Sequence, residues 1–240
     1  MQTVFSLAKL TGLLDRLCRK QRLALFLAAL CHDIEHPGVS SAFLLKSRST
    51  MAALYKNDPG LLEKHHSIRA FELLISKDLD LLRNLPTDDR VNVRHLVRDL
   101  ILATDMARHK AILQDLERAA AEQDGRCGHC AGAGPEHRRG PAPDPGPPAV
   151  DTDADGPAPP SAPRPTRPPP RLLLHMQALL KCADISNVAK PLPVAMEWAV
   201  AVSDEFFAQG DLERAQGIEV RPSCLPPISP SLPISLAPYL

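Results

Sequence analysis

Apolar side chains recur at helical spacing in two blocks of the chain, roughly 1–121 and 171–220, and no stretch shows the alternation of a strand. Val4, Leu7, Ala8, Leu10, Leu14 and Leu17 repeat with that period. The run Leu23 to Cys31 is apolar on every face, which predicts a helix buried on most sides and ended by Pro37-Gly38. Further helices are expected from Ser40 to Leu45, from Pro59 at a first-turn position through Ile75, and from Thr87 to about Ala120. In the last of these, Leu96, Leu100, Ala103 and Ala107 mark one face. Leu172 to Asp184 and Pro193 to Gln209 complete an all-α set with no internal repeat.

Proline interrupts this pattern. Of 25 prolines, fourteen lie between Pro135 and Pro170 and six between Pro222 and Pro238. Proline removes a backbone donor and clashes within helices, so 122–170 reads as a disordered insertion and 221–240 as an unstructured tail. The expected organisation is one folded domain in two pieces, 1–121 and 171–220.

Composition narrows the partner. The 28 basic groups cancel the 28 acidic ones, which argues against a surface that tracks a nucleic-acid polymer or an anionic membrane. A small molecule is the expected ligand. Leu23 to Cys31 is far too short to cross a bilayer, so no membrane span is expected. Six scattered cysteines and a start unlike a secretory signal point to a reducing, intracellular, cytoplasmic setting. Cys127-Gly128-His129-Cys130 has the look of half a zinc site, but no second pair has matching spacing.

Chemistry gathers where apolar helices end. The first cluster is Cys31-His32-Asp33-Ile34-Glu35-His36-Pro37-Gly38. Ionisable groups at a buried helix terminus are costly unless a cation or dense hydrogen bonding compensates them, so this is either a metal site or a helix leaving into solvent. Glu63-Lys64-His65-His66 and Leu102-Ala103-Thr104-Asp105-Met106-Ala107-Arg108-His109 follow; each is weak alone, since a His pair beside a Glu is more often a solvated helix face than a site, and Asp105 with His109 reads as an ordinary i, i+4 surface pair. In Lys181-Cys182-Ala183-Asp184-Ile185-Ser186-Asn187, Asp184 is either a further carboxylate ligand or a helix-terminal polar residue.

Together these runs, with Glu205-Phe206-Phe207-x-Gln209-Gly210-Asp211-x-Glu213-Arg214, resemble in order the catalytic domain of class I 3′,5′-cyclic nucleotide phosphodiesterases. The resemblance covers about Leu23 to Arg118 and Leu172 to Val220. It implies a multi-helix metal-dependent phosphohydrolase bundle, a cyclic AMP or cyclic GMP substrate, and possible homodimers. It also implies two divalent ions, zinc with magnesium or manganese, about 3.5–4 Å apart and activating a hydroxide that displaces the 3′ oxygen. Carried over residue by residue, His32 binds the first ion, Asp33 bridges both as the catalytic carboxylate, and Asp184 completes the first ion's protein ligands. His36, Glu63, His66 and Thr104 support the second ion's waters. Asn187, with Asp33 and Asp184, faces the substrate. Leu102-Ala103-Thr104-Asp105-Met106-Ala107-Arg108-His109 leans toward a cyclic GMP-preferring branch.

The resemblance has gaps. The family's His-Asn-x-x-His-Ala motif provides the general acid and another zinc ligand, and by counting back from His32 it falls at or before Met1. A missing general acid costs about 10²- to 10⁴-fold in rate. The purine-reading glutamine and its stacking aromatic have no counterpart in Arg221-Pro222-Ser223-Cys224-Leu225-Pro226-Pro227. Ser41 and Lys64 each stand where the family pattern has Asn. Three readings are therefore open: a hydrolase domain incomplete as written, a non-catalytic nucleotide- or protein-binding relative, and a truncated gene product.

Overall fold

A computed structural model of the chain describes residues 1–77, 79–124 and 167–225. Among them the secondary structure is helical. The helices are α1 (Gln2–Leu10), α2 (Leu13–Arg16), α3 (Arg19–Cys31), α4 (Ser41–Lys46), α5 (Thr50–Leu54), α6 (Leu61–Ile75), α7 (Thr87–Ile101), α8 (His109–Asp124), α9 (Pro170–Asp184) and α10 (Leu192–Ala215), with short 3₁₀ turns at Met106–Arg108, Ile185–Ala189 and Pro222–Cys224. Most of the expected insertion and tail, including Cys127-Gly128-His129-Cys130, lies outside the described residues. Where they overlap, α8 runs on to Asp124, α9 begins at Pro170, and Cys224 in the 221–240 segment is buried.

Local chemistry sets the boundaries. Gly12, at φ +66°, takes a left-handed conformation that splits the first periodic run into α1 and α2. The Ser40 hydroxyl accepts from the Phe43 N–H at 3.2 Å and starts α4, and Ser49 caps α5, which the apolar pattern does not announce, in the same way at 3.1 Å. The helix expected from Pro59 starts two residues later, because Asp58 Oδ1 accepts the Gly60 N–H at 2.9 Å in a turn.

The single helix expected from Thr87 to Ala120 is broken. Four successive carbonyls that would extend α7 are taken by cationic side chains: Leu102 O by Arg108 Nη1 at 3.1 Å, and Ala103, Thr104 and Asp105 O by Lys181 Nζ at 3.4, 2.9 and 2.8 Å. The Thr104 hydroxyl donates to Ile101 O at 2.7 Å, and the chain turns through Met106–Arg108 into α8. Periodicity cannot see this break, since it comes from a lysine on α9.

The core is built by α1, α2, α3, α6, α7 and α9, with Leu25, Leu100, Ile101 and Met176 buried at its centre. Helix α3, apolar from Leu23 to Cys31, packs chiefly against α7. A satellite cluster of Leu44, Ala52, Leu61 and Leu62 joins α4, α5 and α6. The long α10 buries only Gln209, Gly210 and Glu213 near its C-terminal end. There the Cys224 carbonyl comes so close that a Cβ on Gly210 would lie 2.3 Å from it. Among the described residues no helix is long and apolar enough to cross a membrane.

Leu25→Ala, which opens a cavity at a fully buried position, is expected to cost about 2–5 kcal/mol, whereas Leu30→Ala on the exposed side of α3 should cost under about 0.5 kcal/mol. Denaturant midpoints of the two variants check the difference.

Candidate metal centre

Two apolar helices end at the same point. Helix α3 stops at Cys31 and delivers His32 and Asp33 in the following turn, and α9 delivers Asp184 as its last residue. His32 Nε2 lies 3.0 Å from Asp184 Oδ1, a contact between residues 152 apart in sequence, and 3.5 Å from Asp33 Oδ2. One ligand atom from each of the three falls within 4.8 Å of the others. On its far side His32 Nδ1 meets Ala29 O at 3.2 Å, and a carbonyl partner requires that nitrogen to donate. In the metal-free protein Nε2–H donates to Asp184 Oδ1, so both ring nitrogens carry protons; a cation in that position would replace the Nε2 proton and take the lone pair.

Asp33 is largely exposed while His32 and Asp184 are half-buried, so the cluster opens to solvent on one side. Burial alone would pull the His32 pKa down, but the Asp184 hydrogen bond and the charges of Asp33 and Asp184 outweigh it and hold the imidazole above its ordinary range. A cation between these groups would take over what the extra proton does.

Of the residues expected around the second ion, His66 stands beside Asp33 and His36 beside His66. His66 is buried, donates from Nδ1 to Ile34 O at 2.7 Å, and points Nε2 toward Asp33 Oδ1 at 3.9 Å. Burial keeps its pKa below the ordinary value. The His36 ring stacks on it with centroids 5.7 Å apart. Glu63 has one buried carboxylate oxygen with no hydrogen-bond partner, and its pKa is raised by burial and then by the charges of Asp105 and Asp33. Thr104 is buried beside Lys181, its hydroxyl committed to Ile101 O. Asn187 lies on the 3₁₀ turn directly after Asp184 and is half-buried.

Several residues matter more than their sequence context suggests. Glu35 has a left-handed backbone, φ 56°, that costs a non-glycine residue about 1–2 kcal/mol. A fork from Arg69, Nε and Nη2 each at 2.7 Å to separate carboxylate oxygens, holds it there, and the same contact depresses its pKa. His65 braces the turn between the Tyr55 hydroxyl at 3.1 Å and Glu35 at 3.5 Å. Asp105 does not pair with His109: it accepts from the Ala107 N–H at 2.8 Å and turns its other oxygen toward Gly60. The only prior signal for these roles was membership of the polar runs. Lys181 stood before Asp184 in the sequence without an assigned task, yet it is buried, and burial lowers its pKa against the raising charges of Asp184, Asp105 and Glu63.

The chain matches the family model described as 3′5′-cyclic nucleotide phosphodiesterase over residues 1–230. It is 35% identical over 202 residues to 3′,5′-cyclic-AMP phosphodiesterase 4C of Mus musculus, covering 84% of this chain and 24% of that protein. It is 34% identical over 201 residues to 3′,5′-cyclic-AMP phosphodiesterase, isoform F, of Drosophila melanogaster, covering 84% and 25%. Among solved structures it resembles LmjPDEB1 in complex with IBMX, with TM-score 0.67 and 28% identity over 91% of this chain and 53% of that one. It also resembles the phosphodiesterase domain of the Salpingoeca rosetta rhodopsin phosphodiesterase, with TM-score 0.64 and 27% identity, covering 86% and 51%. The chain thus spans about a quarter of those two curated relatives and about half of the solved domains.

The raised His32 pKa makes a signed prediction for the metal-free protein. A folded pKa above the unfolded value contributes stability that is full below the unfolded pKa and is lost as pH rises through the folded one. Asp184→Asn removes the leading partner, so the His32 titration midpoint, followed by histidine NMR, should fall. An unchanged midpoint would mean that Asp184 does not hold the imidazole.

Proposed function

The chain belongs to the 3′5′-cyclic nucleotide phosphodiesterase family, and on that premise we propose that it forms the metal-holding part of a hydrolase that opens a 3′,5′-cyclic nucleotide to the 5′-monophosphate. The observation that carries this reading is the convergence of His32, Asp33 and Asp184 from helices far apart in sequence.

The donor set suits zinc: one imidazole nitrogen oriented by a backbone carbonyl and two carboxylates, with coordination left over for water and substrate. Asp33, the most exposed of the three, would be the carboxylate available to a second ion, magnesium or manganese. Bound there, the two ions would lower the pKa of a water and neutralise charge on phosphorus. The protein's own groups do the rest. His66 is kept neutral by burial and, with Nδ1 donating to Ile34, offers the Nε2 lone pair to a water beside Asp33. Glu63, with its unpartnered oxygen, and His36 and Thr104 are assigned to the same water shell, and Asn187 to the nucleotide wall.

For the purine, the run from Leu102 to His109 resembles a cyclic GMP-preferring branch, while the relatives above are named for cyclic AMP. Both nucleotides are therefore proposed as substrates to be compared. Free Cys18, Cys31, Cys182 and Cys224 support a reducing, cytoplasmic setting in which such nucleotides diffuse.

The test is zinc content and turnover of cyclic AMP and cyclic GMP by the protein and by Asp184→Asn and His66→Ala. Asp184→Asn should lose zinc and fall to background. His66→Ala should retain the fold and lose about 10- to 100-fold in metal affinity or activity. Normal zinc content and turnover in Asp184→Asn would remove that residue from the site and overturn the reading.

A further inference from the structure

The motif Gln209-Gly210-Asp211-x-Glu213 has no part in the site described above, yet it places two polar head groups in the interior. Gln209 is 3% exposed and Glu213 0%, one turn apart on α10. A buried carboxylate is tolerated only when its oxygens are satisfied, and here they are. Glu213 Oε2 accepts the Arg221 N–H at 3.0 Å, and Oε1 accepts Gln209 Nε2 at 2.7 Å and lies 3.6 Å from Arg221 Nε. Burial opposes the charge, but these donors outweigh it and hold the Glu213 carboxyl below the ordinary carboxylate range.

The charge also has a directional effect. A carboxylate can only accept, so it draws the amide nitrogen of Gln209 toward itself and turns the amide oxygen the other way. That oxygen accepts the backbone N–H of Ser40 at 2.8 Å, a contact spanning 169 residues. The Arg221 guanidinium reaches the Ser40 hydroxyl as well.

Ser40 ends the loop that begins at His36. At the other end, the His36 N–H donates to Asp33 O at 3.1 Å, and within the loop the Gly38 N–H donates to His36 Nδ1 at 3.1 Å. The His36 ring then stacks on His66 beside Asp33. We infer that Gln209, oriented by Glu213, is a positioning residue that pins the loop 36–40 and thereby holds the His36 imidazole against His66 at the edge of the metal centre. The link to metal binding rests on the reading under Proposed function; the pinning of the loop does not.

The test exchanges the two head groups. Gln209→Glu sets two carboxylates against each other, and Glu213→Gln frees the amide to flip. The double exchange Q209E/E213Q restores one carboxylate and one amide, with the hydrogen bonds to the Ser40 and Arg221 N–H groups and between the two head groups available and only the weak Gln209 Nε2 contact to Cys224 Sγ lost. In the metal-free protein, each single variant should speed amide exchange at Ser40 and shift the His36 ring signals in NMR, and the double variant should return both toward wild type. Manganese affinity, read by competition with a chromophoric chelator, should follow the same order, falling about 10- to 100-fold in the single variants. Leu82→Ala, at a fully buried core position, serves as the stability control: it should lower the melting temperature without moving the His36 signals.

Unchanged Ser40 exchange and His36 signals in both single variants would overturn the inference. So would shifts equal to those of Leu82→Ala at matched loss of stability. If the wild-type protein binds neither zinc nor manganese, the metal reading fails, while the NMR result still decides whether Gln209 pins the loop.

Discussion

A buried ammonium ties α9 to the turn that follows α7. Lys181 on α9 donates to the carbonyls of Ala103, Thr104 and Asp105, where α7 would otherwise continue. Those bonds satisfy the carbonyls of the turn after α7, break the long apolar run, and seat α9 so that Asp184, one turn further on, arrives beside His32. A cation in this position costs desolvation, and the carbonyl dipoles together with the charges of Asp184, Asp105 and Glu63 offset it. Replacing it by an apolar side chain would strip the ammonium from the Ala103 and Thr104 carbonyls and leave Asp105 O only the Arg108 N–H, at the point where the functional groups meet.

Around that joint the molecule separates two tasks. The apolar faces of α3, α7 and α9 fill the core, and their ends, rather than their middles, carry the ionisable groups. Three side chains around the site are oriented by a contact on the far side: His32 by Ala29, His66 by Ile34, Glu35 by Arg69. Such supports fix where lone pairs point before any ligand arrives, which is the condition for binding a cation without reorganisation. The Gln209–Glu213 pair on α10 belongs to the same logic, acting on backbone instead of on a ring.

Much of this was legible in order along the chain. The helical period located the core helices because amphipathic and all-apolar runs have few other ways to be buried. The cluster from His32 to His36, together with Asp184, was legible because ionisable residues at the ends of apolar runs demand compensation. The α5 cap at Ser49 and the break after Ile101 were not, the first because a five-residue helix has too little period, the second because its cause lies on α9. Asp105 and His109 read as a pair by spacing, and the turn between them carried the carboxylate elsewhere.

The sequence by itself determined the helical class and the residue types able to hold a cation, since these depend on period and chemistry within a few residues of each position; which apolar faces are covered it did not, as Leu10, Leu30 and Ala107 are exposed. The tertiary structure alone decided that His32 meets Asp184, that Lys181 ends α7, and that Gln209 reaches Ser40. Those contacts join residues 152, 77 and 169 positions apart. Local spacing carries no information about them, because their partners are chosen by how whole helices pack.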